Sequence, residues 1–226
     1  MTKGIFIVGT DTDIGKTYVT ASIIKKLREN NINAGYYKGA LSGAVVDGNK
    51  IICDAQYVID KVGINGDINN YVSYIMQGGY SPHLAARLEG VDISLEKIVS
   101  DFYDLKDRFD FITVEGSGGI ICPIRLDDKT IMLTDIIKKI NLDIIIVASA
   151  SLGTINSTVL TVEYARSCGL NIKGIILNNF DEDTIIHTDN IKVIESLTGI
   201  KIIDTVSEGG HINMSTEVII SMYKEI

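Results

Sequence analysis

Nine residues, Gly9-Thr10-Asp11-Thr12-Asp13-Ile14-Gly15-Lys16-Thr17, follow a short apolar run and open a helix-period segment. Their types suit one task, holding the phosphates of a nucleotide. Glycine lets backbone N–H groups turn inward onto an anion, and the N-terminus of the following helix adds partial positive charge. Lys16 is placed to reach the outer phosphates and Thr17 to ligate Mg2+. Five residues separate Gly9 from Gly15, one more than in the common phosphate loop. The bland alternative is a glycine turn with a surface lysine. The strand before the turn, the helix after it and the threonine beside the lysine all argue against that.

A phosphate-bound Mg2+ also takes carboxylates from the protein. The apolar run Phe111–Val114 ends in Glu115, followed by Gly116-Ser117-Gly118-Gly119. An acid at the tip of a buried strand near the phosphate loop is well placed for the metal, although an acid can also merely cap a turn. Asp54, at the start of the helical segment Asp54–Lys61, is a second candidate, and helix starts favour Asp for capping in any case. Lys38 closes the second strand in a loop of small residues, Lys38–Gly43, where a solvated lysine is the ordinary reading. Ser149–Asn156 opens a helix with hydroxyl and small residues, which can seat a carboxylate or simply cap. Ser81-Pro82-His83 reads as a helix start, His83 has no second His or Cys at ligand spacing, and His187 and His211 give no separate signal. No Ser-His or Cys-His pair is evident.

These segments need a frame that gathers them. Short Ile- and Val-rich runs recur at Ile5–Val8, Ala34–Tyr37, Phe111–Val114, Ile144–Val147, Ile172–Leu177 and Ile202–Val206. Most are apolar on consecutive positions, as strands buried on both faces must be. Helix-period segments lie between them at Lys16–Glu29, Leu95–Lys106, Thr134–Ile140, Ile155–Cys168 and Asp189–Leu197. The alternation predicts an α/β fold, one wound parallel sheet with helices on both faces, spanning 1–226 as a single domain. Such a sheet binds ligands beyond the carboxyl ends of its strands, and four of those ends carry the residues named above. The 226 residues hold 21 Lys and Arg against 29 Asp and Glu, a net charge of −8. That balance speaks against general nucleic-acid or anionic-membrane binding, though not against one anion in a pocket. Three spaced cysteines with no CxxC pair, and no apolar stretch of membrane-spanning length, predict a soluble cytoplasmic protein.

Together the segments resemble the dethiobiotin synthetase family, within the P-loop NTPases. The family's GTDTxxGKT loop appears as Gly9–Thr17, and its Tyr-Lys-Pro-x-x-Ser-Gly loop as Tyr37–Gly43, with Gly39 in place of proline. Its Val-Glu-Gly-Ala-Gly-Gly segment appears as Val114–Gly119, with Ser117 for alanine. Ser81–His83, Leu152–Asn156 and Asn178 also correspond, and the likeness fades after about Asn179. The resemblance implies ATP- and Mg2+-dependent closure of a ureido ring, from diaminopelargonic acid and CO2 to dethiobiotin, ADP and phosphate, by way of a carbamate. It implies catalytic roles for Lys16, Lys38 and Thr12. It implies a nucleotide site of Asp13, Ile14, Gly15, Lys16, Thr17 and Tyr18, with Asp54, Glu115, Gly116, Ser117, Gly118, Asn178 and Asn179. Thr17, Asp54 and Glu115 would hold Mg2+, while Thr12 and Ser42 would meet the carbamate or amine end. The family is homodimeric, so Gly153, Thr154, Ile155 and Asn156 would take the substrate carboxylate across an interface.

Two other readings share parts of this pattern. ATP-driven partitioning or positioning switches have the same sheet and a related loop resembling KGGxGKT, but no lysine stands between Gly9 and Gly15 here. Cobyrinic-acid-type amidotransferases also need a glutaminase domain, for which 226 residues leave no room.

Overall fold

The computed structural model describes residues 1–48 and 50–226. The chain opens with β1 (Lys3–Gly9), α1 (Lys16–Glu29), β2 (Ala34–Leu41), and the short antiparallel strands β3 (Val45–Asp47) and β4 (Lys50–Ile52). Next come α2 (Asp54–Val62), β5 (Val72–Ile75), α3 (Pro82–Glu89), α4 (Leu95–Lys106) and β6 (Phe111–Gly119). A small pair, β7 (Pro123–Leu126) and β8 (Thr130–Met132), leads to α5 (Leu133–Ile140), β9 (Ile144–Ser149) and α6 (Thr154–Ser167). The chain finishes with β10 (Ile172–Asn178), α7 (Ile185–Thr198), β11 (Ile202–Val206), α8 (Thr216–Met222) and β12 (Lys224–Glu225).

The main sheet runs β11-β10-β9-β1-β6-β2-β5, every neighbouring pair parallel. Among the described residues of this sheet, only β12 is antiparallel, pairing with the start of β1 at Gly4 opposite Lys224. Ile5, Phe6, Ile7 and Val8 are all buried. Successive strand side chains point to opposite faces, so both faces of the sheet are covered, as the consecutive apolar pattern requires. Helices do the covering: α1 packs with α2 and α8, α4 with α5, and α6 with α7. No helix among the described residues is long and apolar enough to cross a membrane.

Three expectations change in detail. Lys38 lies inside β2, which continues to Leu41, and it is buried. Glu115 through Gly119 belong to β6 rather than to a loop beyond it. The sheet also has an edge strand, β5, paired to β2 through Lys38 opposite Val72 and Ala40 opposite Tyr74. Its Val-Ser-Tyr-Ile sequence interrupts the apolar pattern with Ser73, whose hydroxyl is used by Tyr37 and Asp101.

Candidate active site

The phosphate loop leaves β1 in the middle of the sheet, so it has chemistry on both flanks. Asp13 (φ 57°) and Gly15 (φ 91°) are left-handed, which turns the chain into α1 at Gly15. Glycine is required at position 15 twice over. The backbone is one that L side chains avoid, and a Cβ there would lie 2.0 Å from Asn178 Nδ2. That amide, at the end of β10, donates to the Ile14 carbonyl at 3.1 Å and holds the loop from the β10 side. Lys16 folds back over the loop, its Nζ donating to the Asp11 carbonyl at 2.7 Å. Burial lowers the Lys16 pKa below the ordinary lysine value, although Glu115 pulls the other way.

On the other flank, β6 and β2 bring a carboxylate and an ammonium together. Tyr37 stands opposite Val114 in register, which carries Lys38 to the level of Glu115. Glu115 Oε1 accepts from Thr17 Oγ1 at 2.8 Å and from Lys38 Nζ at 2.9 Å, while Oε2 accepts from the Tyr36 hydroxyl at 3.1 Å. Lys38 Nζ also reaches Asp54 Oδ2 at 3.1 Å, at the first residue of α2. Glu115 and Lys38 are buried, whereas the Asp54 side chain is 59% exposed. Burial disfavours the Lys38 ammonium, but the Glu115 and Asp54 carboxylates outweigh it and hold its pKa above the ordinary lysine value. Burial, then the Glu115 charge, pushes the Tyr36 phenol well up, so it stays a neutral donor.

The hydroxyl of Thr17 and the carboxylates of Glu115 and Asp54 form an all-oxygen set of the kind a hard divalent cation takes alongside phosphate oxygens. Among the described residues no three His, Cys, Asp or Glu side chains are grouped to hold a metal unaided. A cation here would therefore depend on the hydroxyl and on a ligand's oxygens as well.

Beside this cluster lies a cleft of about 810 Å3. It is lined by Thr10–Asp13, Lys38, Ser42, Asp54, Tyr80–Pro82 and Ser117–Pro123, together with Asn156, Ser157, Leu160 and Thr161 of α6. The structure thus gathers Thr12, Asp13, Lys38, Ser42, Asp54, Ser117, Gly118 and Asn156 around one space. Gly118 is left-handed (φ 61°), and a Cβ on it would come within 3.7 Å of Thr12 Oγ1. Gly116 stays outside the cleft, packed near Leu133 and the Ile7 carbonyl. Of Gly153–Asn156, only Asn156 lines the cleft. Thr154 is buried with its hydroxyl at 3.3 Å from that of Thr158, and Gly153 and Ile155 do not line the cleft. Asn179 is exposed and left-handed. The Tyr18 hydroxyl is spent on the Gly210 carbonyl. Sequence reading missed Tyr36, because nothing in a run of two tyrosines tells which hydroxyl turns toward Glu115. It also missed Ser157, Leu160 and Thr161, although Leu160 stands four residues from Asn156 and Thr161 four from Ser157, a helical spacing that was the available signal.

Residues 3–213 match the family described as "AAA domain". The chain is 54% identical over 207 residues to the "ATP-dependent dethiobiotin synthetase BioD" of Clostridium perfringens (strain 13 / Type A), covering 91% of each chain. It is 51% identical over 227 residues to the protein of the same name from Clostridium botulinum (strain Okra / Type B1), covering 100% of both. The chain belongs to the dethiobiotin synthetase family. The enzyme class expected from the loop motifs is the class of that family. The relationship runs past Asn179 to the end of the chain, farther than the motifs alone suggested, and every cleft residue falls within the matched span. In fold, the chain is similar to a ParA family ATPase from Chlorobium tepidum (TM-score 0.56, 17% identity, 92% of this chain and 84% of that one). It is likewise similar to a plasmid partition protein from Borrelia burgdorferi (TM-score 0.57, 16% identity, 98% of each). At those identities the likeness shows the fold alone, the same wound sheet in all three chains.

Proposed function

We propose that this enzyme closes the ureido ring of dethiobiotin in the cytoplasm, acting as one domain over 1–226 and using diaminopelargonic acid, CO2 and ATP with Mg2+. The observation that carries this reading is the Glu115 carboxylate held at once by Thr17 of the phosphate loop and by buried Lys38. One amine of the substrate takes up CO2 to give a carbamate. The carbamate oxygen attacks the γ-phosphorus and ADP leaves. The second amine then attacks the carbonyl carbon of the mixed anhydride, phosphate departs and the ring closes. The substrate supplies its own nucleophiles, so the protein positions the reacting groups and neutralises charge.

Sheet order supports one orientation of the nucleotide. Lys38, Glu115 and Asp54 lie on the β6–β2 side of the loop, so the γ-phosphate points there and Lys16 and Lys38 stabilise its charge. Asn178, on the β10 side, marks the nucleoside end, with Asn179 beside it, while Asp13, Ile14, Gly15 and Tyr18 of the loop and helix start, and Gly116, Ser117 and Gly118 of β6, are the remaining nucleotide contacts. Thr17, Glu115 and Asp54 would hold Mg2+, which supplies charge neutralisation across the phosphates when bound. Thr12 and Ser42 meet the carbamate or amine end. Gly153–Ile155 stand outside their own protomer's cleft, which suits a homodimer in which this helix start meets a substrate carboxylate from the partner site.

The direct test is ADP release with Mg-ATP and bicarbonate, with and without diaminopelargonic acid. Stimulation by the diamine, with a ureido product by mass spectrometry, is expected. ATP hydrolysis that ignores the diamine and responds to DNA or lipid would replace this reading with a switch. A second expectation concerns Asn156→Ala, which should raise the KM for the diamine by more than the KM for ATP. Sedimentation as a fully active monomer would remove the shared site.

A further inference from the structure

Ser81-Pro82-His83 opens α3 at the cleft and has no part in the cluster around Glu115. Ser81 caps α3, yet among the described residues its side chain makes no capping bond. The Ser81 carbonyl takes the Leu84 and Ala85 N–H groups at 2.9 and 3.0 Å, and Pro82 has no N–H to satisfy. The hydroxyl is left for His83, with Ser81 Oγ 3.0 Å from His83 Nδ1. Ser81 lines the cleft, while His83 is partly buried outside the lining. The loop leading to this pair is fixed. The Glu89 carboxylate, at the other end of α3, accepts from Gln77 N at 3.2 Å and Gly78 N at 2.7 Å. Gly43 N donates to the Gly78 carbonyl at 2.9 Å, and a Cβ on Gly43 would lie 3.7 Å from Gly79 Cα. The loop that carries Ser81 is thus tied to Ser42-Gly43, and both serines line the cleft.

We propose that Ser81 and His83 form a proton relay for ring closure, in which Ser81 Oγ takes the proton shed by the second amine and passes its own to His83 Nδ1. The proposal rests on the ureido-ring reading and on placing the amine end at Ser42. When the amine attacks the carbonyl carbon of the mixed anhydride, a C–N bond forms and the C–O bond to phosphate breaks. Phosphate leaves with that electron pair, and the nitrogen carries one proton too many. With His83 protonated at Nε2, Nδ1 accepts from the Ser81 hydroxyl. A proton moving from nitrogen to Oγ then sends another on to Nδ1, and the imidazolium returns it to solvent. The serine is a carrier here and not a nucleophile. The other ionisable groups of the cleft are committed elsewhere. Asp11 and Asp13 belong to the phosphate loop, and Asp54 is engaged by Lys38, whose ammonium is held charged. Burial pushes the Cys122 thiol up to about 11, so it stays protonated at neutral pH. Phosphoryl transfer to the carbamate moves no proton, so the relay acts only after ADP has formed.

Rapid-quench single turnovers with Mg-ATP, labelled bicarbonate and diaminopelargonic acid follow ADP and ureido product separately. His83→Asn keeps a hydrogen-bonding atom near the Nδ1 position but cannot carry a proton. It should slow ring closure by about 10² while first-turnover ADP formation stays within about twofold. ADP should then run ahead of ureido product, with the waiting anhydride trapped by hydroxylamine. Ser81→Ala should slow closure in the same sense, which guards against a folding effect at His83. Exogenous imidazole should restore part of the closure rate in His83→Ala. Closure at the wild-type rate in both His83→Asn and Ser81→Ala would overturn the relay. So would ADP formation and closure slowed alike, which marks general damage to the cleft. A slow His83→Ala that ignores imidazole would also overturn it, leaving His83 only a support for Ser81. Wild-type enzyme that forms no ureido product would remove the reading beneath the proposal, whereas wild-type closure beside unaffected variants removes the relay alone.

Discussion

Lys38→Met should lower kcat by about 10²–10³, equivalent to about 2.7–4 kcal/mol of transition-state stabilisation, while the Kd for Mg-ADP changes far less. The difference follows from where the ammonium is held. Lys38 is buried between Glu115 and Asp54 and contributes no contact to the phosphate loop itself, which Lys16, Thr17 and the Asn178 clamp maintain. Its charge matters when negative charge grows on the transferring phosphoryl group. Methionine keeps much of the volume, and Glu115 retains its Thr17 and Tyr36 donors. Single-turnover ADP release at saturating substrates provides the measurement. A preserved kcat with a raised KM for ATP would mean that Lys38 binds the ground state and no more.

Glu115→Gln carries the second large effect, and it has two components. The first is stability. Removing one partner of a buried ion pair leaves the other charge uncompensated and costs about 3–5 kcal/mol. Lys38 keeps only the half-exposed Asp54 carboxylate, so the lower end applies, and the unfolding midpoint in denaturant should fall accordingly. The second is the metal: a hard cation loses its best-fixed charged oxygen, so the Mg2+ concentration for half-maximal ADP release should rise together with a drop in kcat. The two separate experimentally, since Mg2+ titration of the folded variant reports only the second. A wild-type Mg2+ dependence would withdraw Glu115 as a ligand.

Much of this was legible in the sequence. The phosphate loop is local, so its residues and spacing reveal it, and the central runs Ile5–Val8 and Ile144–Val147 are apolar at every position. What was not legible is where β2 and β6 end. Gly39-Ala40 and the run Gly116–Gly119 read as loops because small residues usually mark them. In the structure they are strand, and the glycines answer to close approach: a Cβ on Gly39 would meet Ile98 Cγ2 at 2.9 Å, and one on Gly116 the Ile7 carbonyl at 3.2 Å. Those neighbours are distant in sequence, so no local pattern encodes them. For the same reason Lys38 and Glu115 could be named one by one but not paired. Their contact depends on the register of β2 against β6, and the third party, Tyr36, is set by strand alternation from Lys38.

The way Glu115 is shared has a consequence for how this sequence can drift. Its two oxygens serve Thr17, Lys38 and Tyr36, which arrive on α1 and on the adjoining β2. Residues in one such network do not contribute independently, and the effect of changing one depends on which others are present. A chain that loses the carboxylate first is left with a stranded ammonium, and one that loses the ammonium first keeps a partnered acid. The order of replacement therefore decides which intermediates survive, and lineages that depart from this cluster are expected to lose Lys38 before Glu115.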